Sequence, residues 1–117
     1  MPRVRCITEM GMGVDVHGRD ATKAARRAVS DAIRHSSLGG IFRMLGKKPQ
    51  DMIIEVKIGV PNPEDVDKDA VAKELPYGTV TVNAVAGGLD VPAEGGGDGI
   101  LIANAAVMVH LEDDRQG

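Results

Sequence analysis

The chain has 117 residues, 43% hydrophobic and 26% charged, which predicts one globular domain and excludes a disordered tail or a fibre. Its 14 Lys and Arg residues against 17 Asp and Glu residues give a net charge of -3, which argues against a general binder of nucleic acids or anionic membranes. Aromatic residues make up only 2% of the chain, which excludes base-stacking platforms and aromatic cages as recognition devices.

We expect a single α+β domain at residues 1–112 and a flexible C-terminal tail at 113–117. A core built from small aliphatic side chains is thin, and a thin core gains stability when subunits bury surface between them, so we expect a homo-oligomer. The single cysteine, Cys6, excludes a disulfide within the chain. With no run of about 18 apolar residues and no apolar leader, we expect a cytoplasmic protein with no membrane partner.

The first predicted element is a strand at residues 3–8, where the side chains alternate in character. Residues 9–18 hold three glycines and are predicted to be a loop or a distorted strand end. A helix follows with Asp20 as its N-cap. Its apolar stripe is mostly alanine, so the helix should lie close against a sheet. The stripe comprises Ala21, Ala24, Ala25, Ala28, Val29, Ala32 and Ile33.

A second strand is predicted at residues 52–60, followed by a second helix that begins at Asn62 and Pro63 and ends near Leu75. A third strand is predicted at residues 79–86. The glycine-rich segment at 87–99 is predicted to be either a plain loop or a mobile lid. The fourth strand, at residues 100–111, is almost entirely apolar and should be buried.

This β-α-β-α-β-β order predicts an α+β two-layer sandwich, a four-stranded mixed sheet with two helices on one face. The opposite sheet face has no helix to cover it. Glu55 and Lys57 make that face partly polar, whereas Ile53, Val107 and Val109 are expected to make it partly apolar. A second copy of the chain is the natural cover.

The segment between the first strand and the first helix is one candidate site. Free backbone N–H groups at a helix start can bind an anion. Asp15 or His17 could serve as an acid–base group, and Lys23 could bind a carboxylate or oxyanion. In the alternative, Asp20 is a cap, Lys23 is solvated and the glycines only turn the chain. Glu9, Gly11 and Gly13 complete the predicted ligand-binding set, and Glu9 with Asp15 and His17 could instead hold a metal ion.

Three polar residues interrupt the apolar strands and form a second candidate set. Asn83 and Asn104 are either ligand contacts or structural amides bonded to a neighbouring strand or subunit. Lys57 is either paired with Glu55 at the surface or, if buried, a base or nucleophile. The predicted catalytic residues are therefore Asp15, His17 and Lys57, with no metal and no cofactor assigned.

Four segments together resemble a small family of conserved hypothetical proteins typed by a Listeria member. They are EMGMGVDVHGRDATKAARRAVSDAIRHSSL at residues 9–38, VKIGVPNPEDVD at 56–67, TVTVNAVAGGLDVPAEGG at 79–96 and GILIANAAVMVHL at 99–111. The resemblance covers nearly the whole chain. It implies one compact domain and no established reaction.

A weaker likeness concerns the ring-opening amidohydrolases that act on cyanuric acid and barbiturate. Their chain joins three sheet-and-helix units around a central site, so a homotrimer of this chain would resemble them. Ala86 stands where that family has a serine, which puts the serine mechanism in doubt. The element order also resembles the trimeric chorismate-mutase-like fold, which uses clefts between subunits.

Two functions are therefore predicted for a cytoplasmic homo-oligomer built on trimers. The first is an intersubunit site for a small polar or anionic molecule, with hydrolase or lyase chemistry on a small carbonyl or cyclic-amide compound. The second is a non-catalytic metabolite-binding or assembly module. Both predicted functions depend on a cleft formed between two subunits.

Overall fold

The computed structural model describes residues 3–34 and 46–112. Within them lie two helices, α1 (Ala21–Arg34) and α2 (Lys68–Ala72), and five strands. The strands are β1 (Arg3–Asp15), β2 (Ile53–Val60), β3 (Thr79–Ala86), β4 (Leu89–Val91) and β5 (Ile100–Glu112). The predicted tail at 113–117 lies outside the described residues. No helix in the described part of the chain is long and apolar enough to cross a membrane.

The strands form one mixed sheet in the order β1-β5-β2-β3. β5 runs antiparallel to both β1 and β2, whereas β2 and β3 are parallel. The predicted α+β class and the helix layer on one face are confirmed. The sheet has five strands rather than four, because β4 pairs with β5 at Leu89 and Ile102, just beyond the point where β2 ends. The likeness to chorismate mutase stays a prediction.

The alanine stripe of α1 lies against the sheet as predicted. Its alanines and Val29 are at most 2% exposed, and Ile33 packs beside them. Asp20 caps the helix, since its Oδ1 accepts a hydrogen bond from the Lys23 backbone N–H at 3.0 Å. Short side chains on this face bring the helix backbone close to β1 and β5.

The prediction of a loop or distorted strand end at residues 9–18 is wrong for its first seven residues, because β1 continues to Asp15. Gly11 and Gly13 lie inside that strand and beneath α1. A Cβ on Gly11 would collide with the Ala28 carbonyl oxygen and the Ala32 nitrogen, and one on Gly13 with the Ala24 carbonyl oxygen. These glycines therefore allow close packing of helix on strand, rather than a turn of the chain.

The predicted second helix, from Asn62 to Leu75, is shorter than expected. Pro63–Asp65 forms a 3₁₀ turn, and the α-helix begins only at Lys68. Val66 interrupts the two with an extended backbone and a buried side chain. Asp67 then caps α2, since its Oδ1 accepts a hydrogen bond from the Ala70 N–H at 3.2 Å. Placing Val66 in the core thus breaks the helix in two.

The sheet face opposite the helices carries no described element, and we call it the open face. Register assigns alternate residues of each strand to it. Val107 and Val109 are not on it, contrary to expectation, because both pack under the helix layer at 2% and 3% exposure. Its members include Met10, Met12, Glu55, Lys57, Gly59, Thr81, Asn83, Val85, Asn104 and Ala106.

Candidate functional site

The predicted site residues fall on two sides of the sheet. Glu9, Gly11, Gly13 and Asp15 are paired in register with the helix-facing residues of β5. Lys57, Asn83 and Asn104 project from the open face instead. One chain therefore does not bring the two predicted sets together.

Asp15 is engaged at the start of α1. Its Oδ2 accepts a hydrogen bond from the Asp20 backbone N–H at 2.7 Å, and Arg27 Nη1 lies 3.7 Å from its Oδ1. The carboxylate is 2% exposed. The pKa of Asp15 is lowered, chiefly by the Asp20 N–H bond and then by the positive charge of Lys23, against the opposing effect of burial. Asp15 is therefore ionised and stabilises the turn that leads into α1.

His17 and Lys23 are exposed near the same helix end. The turn that carries His17 is tied to the glycine-rich segment at 87–99. The Gly18 N–H donates to Asp98 Oδ2 at 2.8 Å, and Arg19 donates two hydrogen bonds to the Asp90 carboxylate. This Arg19–Asp90 pair lowers the pKa of Asp90 and raises that of Arg19. The segment predicted as loop or lid is therefore joined to the entry of α1.

The open face has a shallow groove of about 400 Å³ where small residues leave room. Gly59, Ala105 and Ala106 form its floor, while Lys57 and Asn104 supply polar groups. No described residue forms a hydrogen bond or ion pair with the Lys57 side chain. The alternative in which Lys57 pairs with Glu55 does not occur; Glu55 instead contacts Arg3 at 3.9 Å and His110 at 3.4 Å.

Apolar side chains border the groove. Met10 is 73% exposed and Met12 is 54% exposed, and Val85 lies on the opposite rim. Sequence reasoning missed the two methionines, since it predicts a loop or a distorted strand end at residues 9–18. The alternation of Met10 and Met12 with Gly11 and Gly13 was the signal that could have placed both methionines on one strand face.

The two predicted sets, one around Asp15 and the other around Lys57, lie far apart along the strands. Lys57 is in register with Ala106, and Ala106 with Met10. Asp15 lies five residues further along β1, which is about 16 Å at the usual rise of a strand. It also points to the other face. Within residues 3–34 and 46–112, no three His, Cys, Asp or Glu side chains are grouped to hold a metal ion.

His110 lies in a cluster with Arg3 and Glu55 on the open face. It is 8% exposed, and its Nε2 is a buried atom with no hydrogen-bond partner. The nearest Glu55 oxygen lies 3.4 Å from that nitrogen. This cluster stands at the end of the sheet where β1 begins, away from the groove.

Comparison with protein families matches residues 5–109 to the model of a family of conserved hypothetical proteins called Lin0512. The chain belongs to the Lin0512 family. The match includes both described helices and all of the described strands except the first two residues of β1 and the last three of β5. No function is established for the family. The likeness to the ring-opening amidohydrolases stays a prediction.

A solved structure of another protein is similar to this chain over nearly its whole length. The chain is similar to an FtsZ-like protein of unknown function from Nostoc punctiforme, at 43% identity and a TM-score of 0.88. The similarity covers 97% of this chain and 99% of the other. No curated protein matches this Lin0512 chain.

Proposed function

We propose that the protein is a homo-oligomer that binds a small anionic or amide-bearing molecule on its open face. The observation that carries the proposal is Lys57, an ammonium with no partner among the described residues, at the edge of an apolar groove beside the Asn104 amide. Its ammonium is exposed and engaged by no described side chain, so its charge is available to an anionic ligand.

The groove supports a particular ligand chemistry. Lys57 offers three N–H donors to a carboxylate or oxyanion, and Asn104 offers both a donor and an acceptor to an adjacent amide or carbonyl. The apolar floor at Gly59 and Ala106 suits a flat or short carbon skeleton. Small carbonyl acids and cyclic amides combine these three features.

Assembly is supported by the apolar side chains on the same face. Met10, Met12 and Val85 are exposed around the groove, and Leu89 of β4 is 61% exposed beside them. Exposed apolar groups that cluster on one face are typical of interaction sites. Subunit contact beside this face would enclose the groove, as expected for a cleft between subunits; a trimer remains the predicted subunit number.

Binding without turnover is favoured over hydrolase or lyase chemistry. Catalysis needs an acid–base group beside Lys57, and the predicted candidates lie elsewhere in the chain. Asp15 is bonded at the start of α1, about 16 Å further along the sheet by the usual strand rise. An enzyme would therefore require a second copy to bring its exposed His17 to the groove, because the buried Asp15 is held at the start of α1.

The experiment is a titration with malonate and with barbiturate, a small dianion and a cyclic-amide anion. We expect both to raise the melting temperature of the wild-type protein. Lys57→Met should weaken binding roughly tenfold to a hundredfold, the loss expected for a hydrogen bond to a charged group. Lys23→Met, which removes a lysine from the other side of the sheet, is the matched control and should bind as wild type.

Equal binding by Lys57→Met and wild type would refute the proposed site. Incubation with barbiturate, followed by its ultraviolet absorbance, tests turnover. A constant absorbance is expected. Its decay in wild type, abolished by His17→Ala, would favour the enzyme instead.

A further inference from the structure

β3 forms an edge of the sheet, and no described residue covers its outer side. It pairs only with β2 in the strand order β1-β5-β2-β3. The ladder is bracketed by two bonds, from the Thr79 N–H to the Met52 carbonyl and from the Gly87 N–H to the Val60 carbonyl. Because such bonds repeat every second residue, odd-numbered residues bond to β2. The N–H and C=O groups of Val80, Val82, Ala84 and Ala86 therefore point outward.

The outer side of β3 lacks the devices that normally protect an edge strand. Its eight residues, TVTVNAVA, include no charge, proline or glycine and are rich in β-branched side chains. Such a strand is a ready template for pairing with another strand.

The other edge, at β1, is protected in three ways. A register irregularity falls between Arg5 and Ile7. The Met12 N–H donates to Asp31 Oδ2 at 3.0 Å, and Arg27 donates to the Val14 carbonyl at 2.6 Å. Irregularities and side-chain cover of this kind discourage strand addition. The contrast identifies β3 as the edge that is left for pairing.

We propose that two copies of the chain associate by antiparallel pairing of their β3 strands about a twofold axis, creating a shared site for a small dianion. Outward-pointing residues must face each other in such a pair. Among the registers that set outward-pointing residues opposite each other, the one with the most hydrogen-bonded pairs within β3 sets Val82 opposite Ala84, Thr81 opposite Val85, and Asn83 opposite Asn83 of the second copy. An uncharged, self-complementary strand favours a second copy over a foreign partner.

The helix layer leaves room for this pairing. Val80 and Ala84 point toward that layer, yet both stay only half-buried within one chain. Val82, between them, is buried at 8% exposure. The helices thus cover the middle of the strand without enclosing its side chains fully, and a second copy would complete their burial.

Pairing would create a symmetric row of polar groups on the open face. Lys57 is in register with Asn83 within each copy, so the row reads Lys57, Asn83, Asn83, Lys57 across the axis. The two Lys57 α-carbons would lie three strand spacings apart, about 14 Å. Flexible four-carbon stems let both ammonium groups turn toward one ligand. A dianion, such as a short dicarboxylate, matches two cations flanking two amides.

The first experiment measures mass by light scattering at micromolar concentration. Wild type should be an even-numbered oligomer of the 12.3 kDa chain. Ala84→Pro removes an outward N–H that no bond within one chain uses, so the fold should persist. It would eliminate two bonds across the axis and raise the dissociation constant roughly tenfold to a hundredfold. A monomer or a plain trimer would overturn the pairing, whereas a hexamer would combine it with the predicted trimer. An unchanged Ala84→Pro would also overturn it.

A charge swap tests the register without altering the backbone. Asn83→Lys and Asn83→Asp each place like charges opposite each other, which should weaken pairing up to roughly fivefold. An equimolar mixture should recover a heterodimer at least as tight as wild type. Thr8→Lys, an exposed change on β1, is the control and should leave the mass unchanged. Failure of the mixture to recover association would overturn the register.

The ligand part of the proposal rests on the proposed function at Lys57. Calorimetry with malonate should give one ligand per two chains, and acetate should bind at least tenfold more weakly. One malonate per chain, reduced in Lys57→Met, would overturn the shared site while the groove proposal stands. No malonate or barbiturate binding to an intact β3-paired dimer would refute the proposed function and leave the strand pairing supported.

Discussion

Gly13 of β1 lies so close beneath Ala28 of α1 that no side chain fits between them. A Cβ built on Gly13 collides with the Ala28 nitrogen and the Ala24 carbonyl oxygen. Gly11 repeats this contact one helical turn further along, at Ala28 and Ala32. The glycines and the alanine stripe thus act as two halves of one helix–strand interface. The small size of this core, inferred from composition, has its structural basis here.

Gly13→Ala should destabilise the fold substantially. The added methyl meets backbone atoms, which cannot rotate away as a side chain would, so helix and strand must separate. Overpacking of this kind costs about 1–3 kcal/mol or more. Urea unfolding followed by circular dichroism measures the loss of free energy of unfolding.

Gly59→Ala is the matched control on β2. Its nearest neighbour would be the Gly87 Cα at 3.5 Å, an ordinary van der Waals contact. We expect a change of less than about 1 kcal/mol. Equal destabilisation of the two variants would contradict the close-packing role of Gly13.

The alanine spacing of α1 predicted its buried face correctly because a helix of period 3.6 has few ways to hide such a stripe. The same residues could not reveal that Gly11 and Gly13 belong to a strand. A glycine considered only with its sequence neighbours indicates a turn. The reason for these two glycines is the backbone of α1, which lies so close to β1 that a side chain is excluded. Helix–strand distance is a tertiary property.

The candidate site failed to assemble in one chain for a related reason. Asp15, His17, Gly11 and Gly13 were grouped because they are close in the sequence. The face of the sheet that a strand residue occupies depends instead on the register of the strand. Lys57, Asn83 and Asn104 were grouped by their strand positions, and the register places all three on the open face. The face of β1 could not be inferred, since the irregularity between Arg5 and Ile7 reverses the alternation of its first residues.

Asp15→Asn should destabilise the protein near neutral pH. The carboxylate accepts the Asp20 N–H and faces Arg27, and loss of its charge weakens both contacts. The expected loss is about 1–2 kcal/mol, as for a helix cap. Chemical denaturation at pH 7 measures it. Asp69→Asn, an exposed residue of α2, controls for simple loss of charge.

The pH dependence of stability should change in the same variant. Since the folded-state pKa of Asp15 lies below its ordinary value of 3.8, ionised Asp15 stabilises the fold above about pH 4. This contribution disappears as pH falls through the lower, folded-state pKa. The gap in unfolding free energy between wild type and Asp15→Asn should therefore narrow below pH 4. A gap that stays constant down to pH 2 would contradict this role.

Asp67→Ala should loosen α2 and its contact with α1. Asp67 caps α2 through the Ala70 N–H, and its own N–H donates to Thr22 Oγ1 at 2.8 Å. Removing the cap costs about 1 kcal/mol, and a five-residue helix has little other support. Asp67→Asn keeps an acceptor and should retain most of the stability. Equal thermal shifts for the alanine and asparagine variants would exclude a capping role.

Asp90→Ala, which removes both acceptor oxygens, should free the glycine-rich segment from the turn before α1. Arg19 adopts a positive φ of 50°, which only a few non-glycine residues do, and its two bonds to Asp90 hold the turn in that shape. Hydrogen exchange should accelerate at residues 16–20 and 90–98 while the β5 core stays protected. Because the pair is exposed, high salt should produce part of the same effect in wild type. Asp98→Ala removes the acceptor for the Gly18 N–H and leaves the Arg19–Asp90 pair in place, so it should accelerate exchange less. Faster exchange in β5 than in the turn would show a general loss of stability instead.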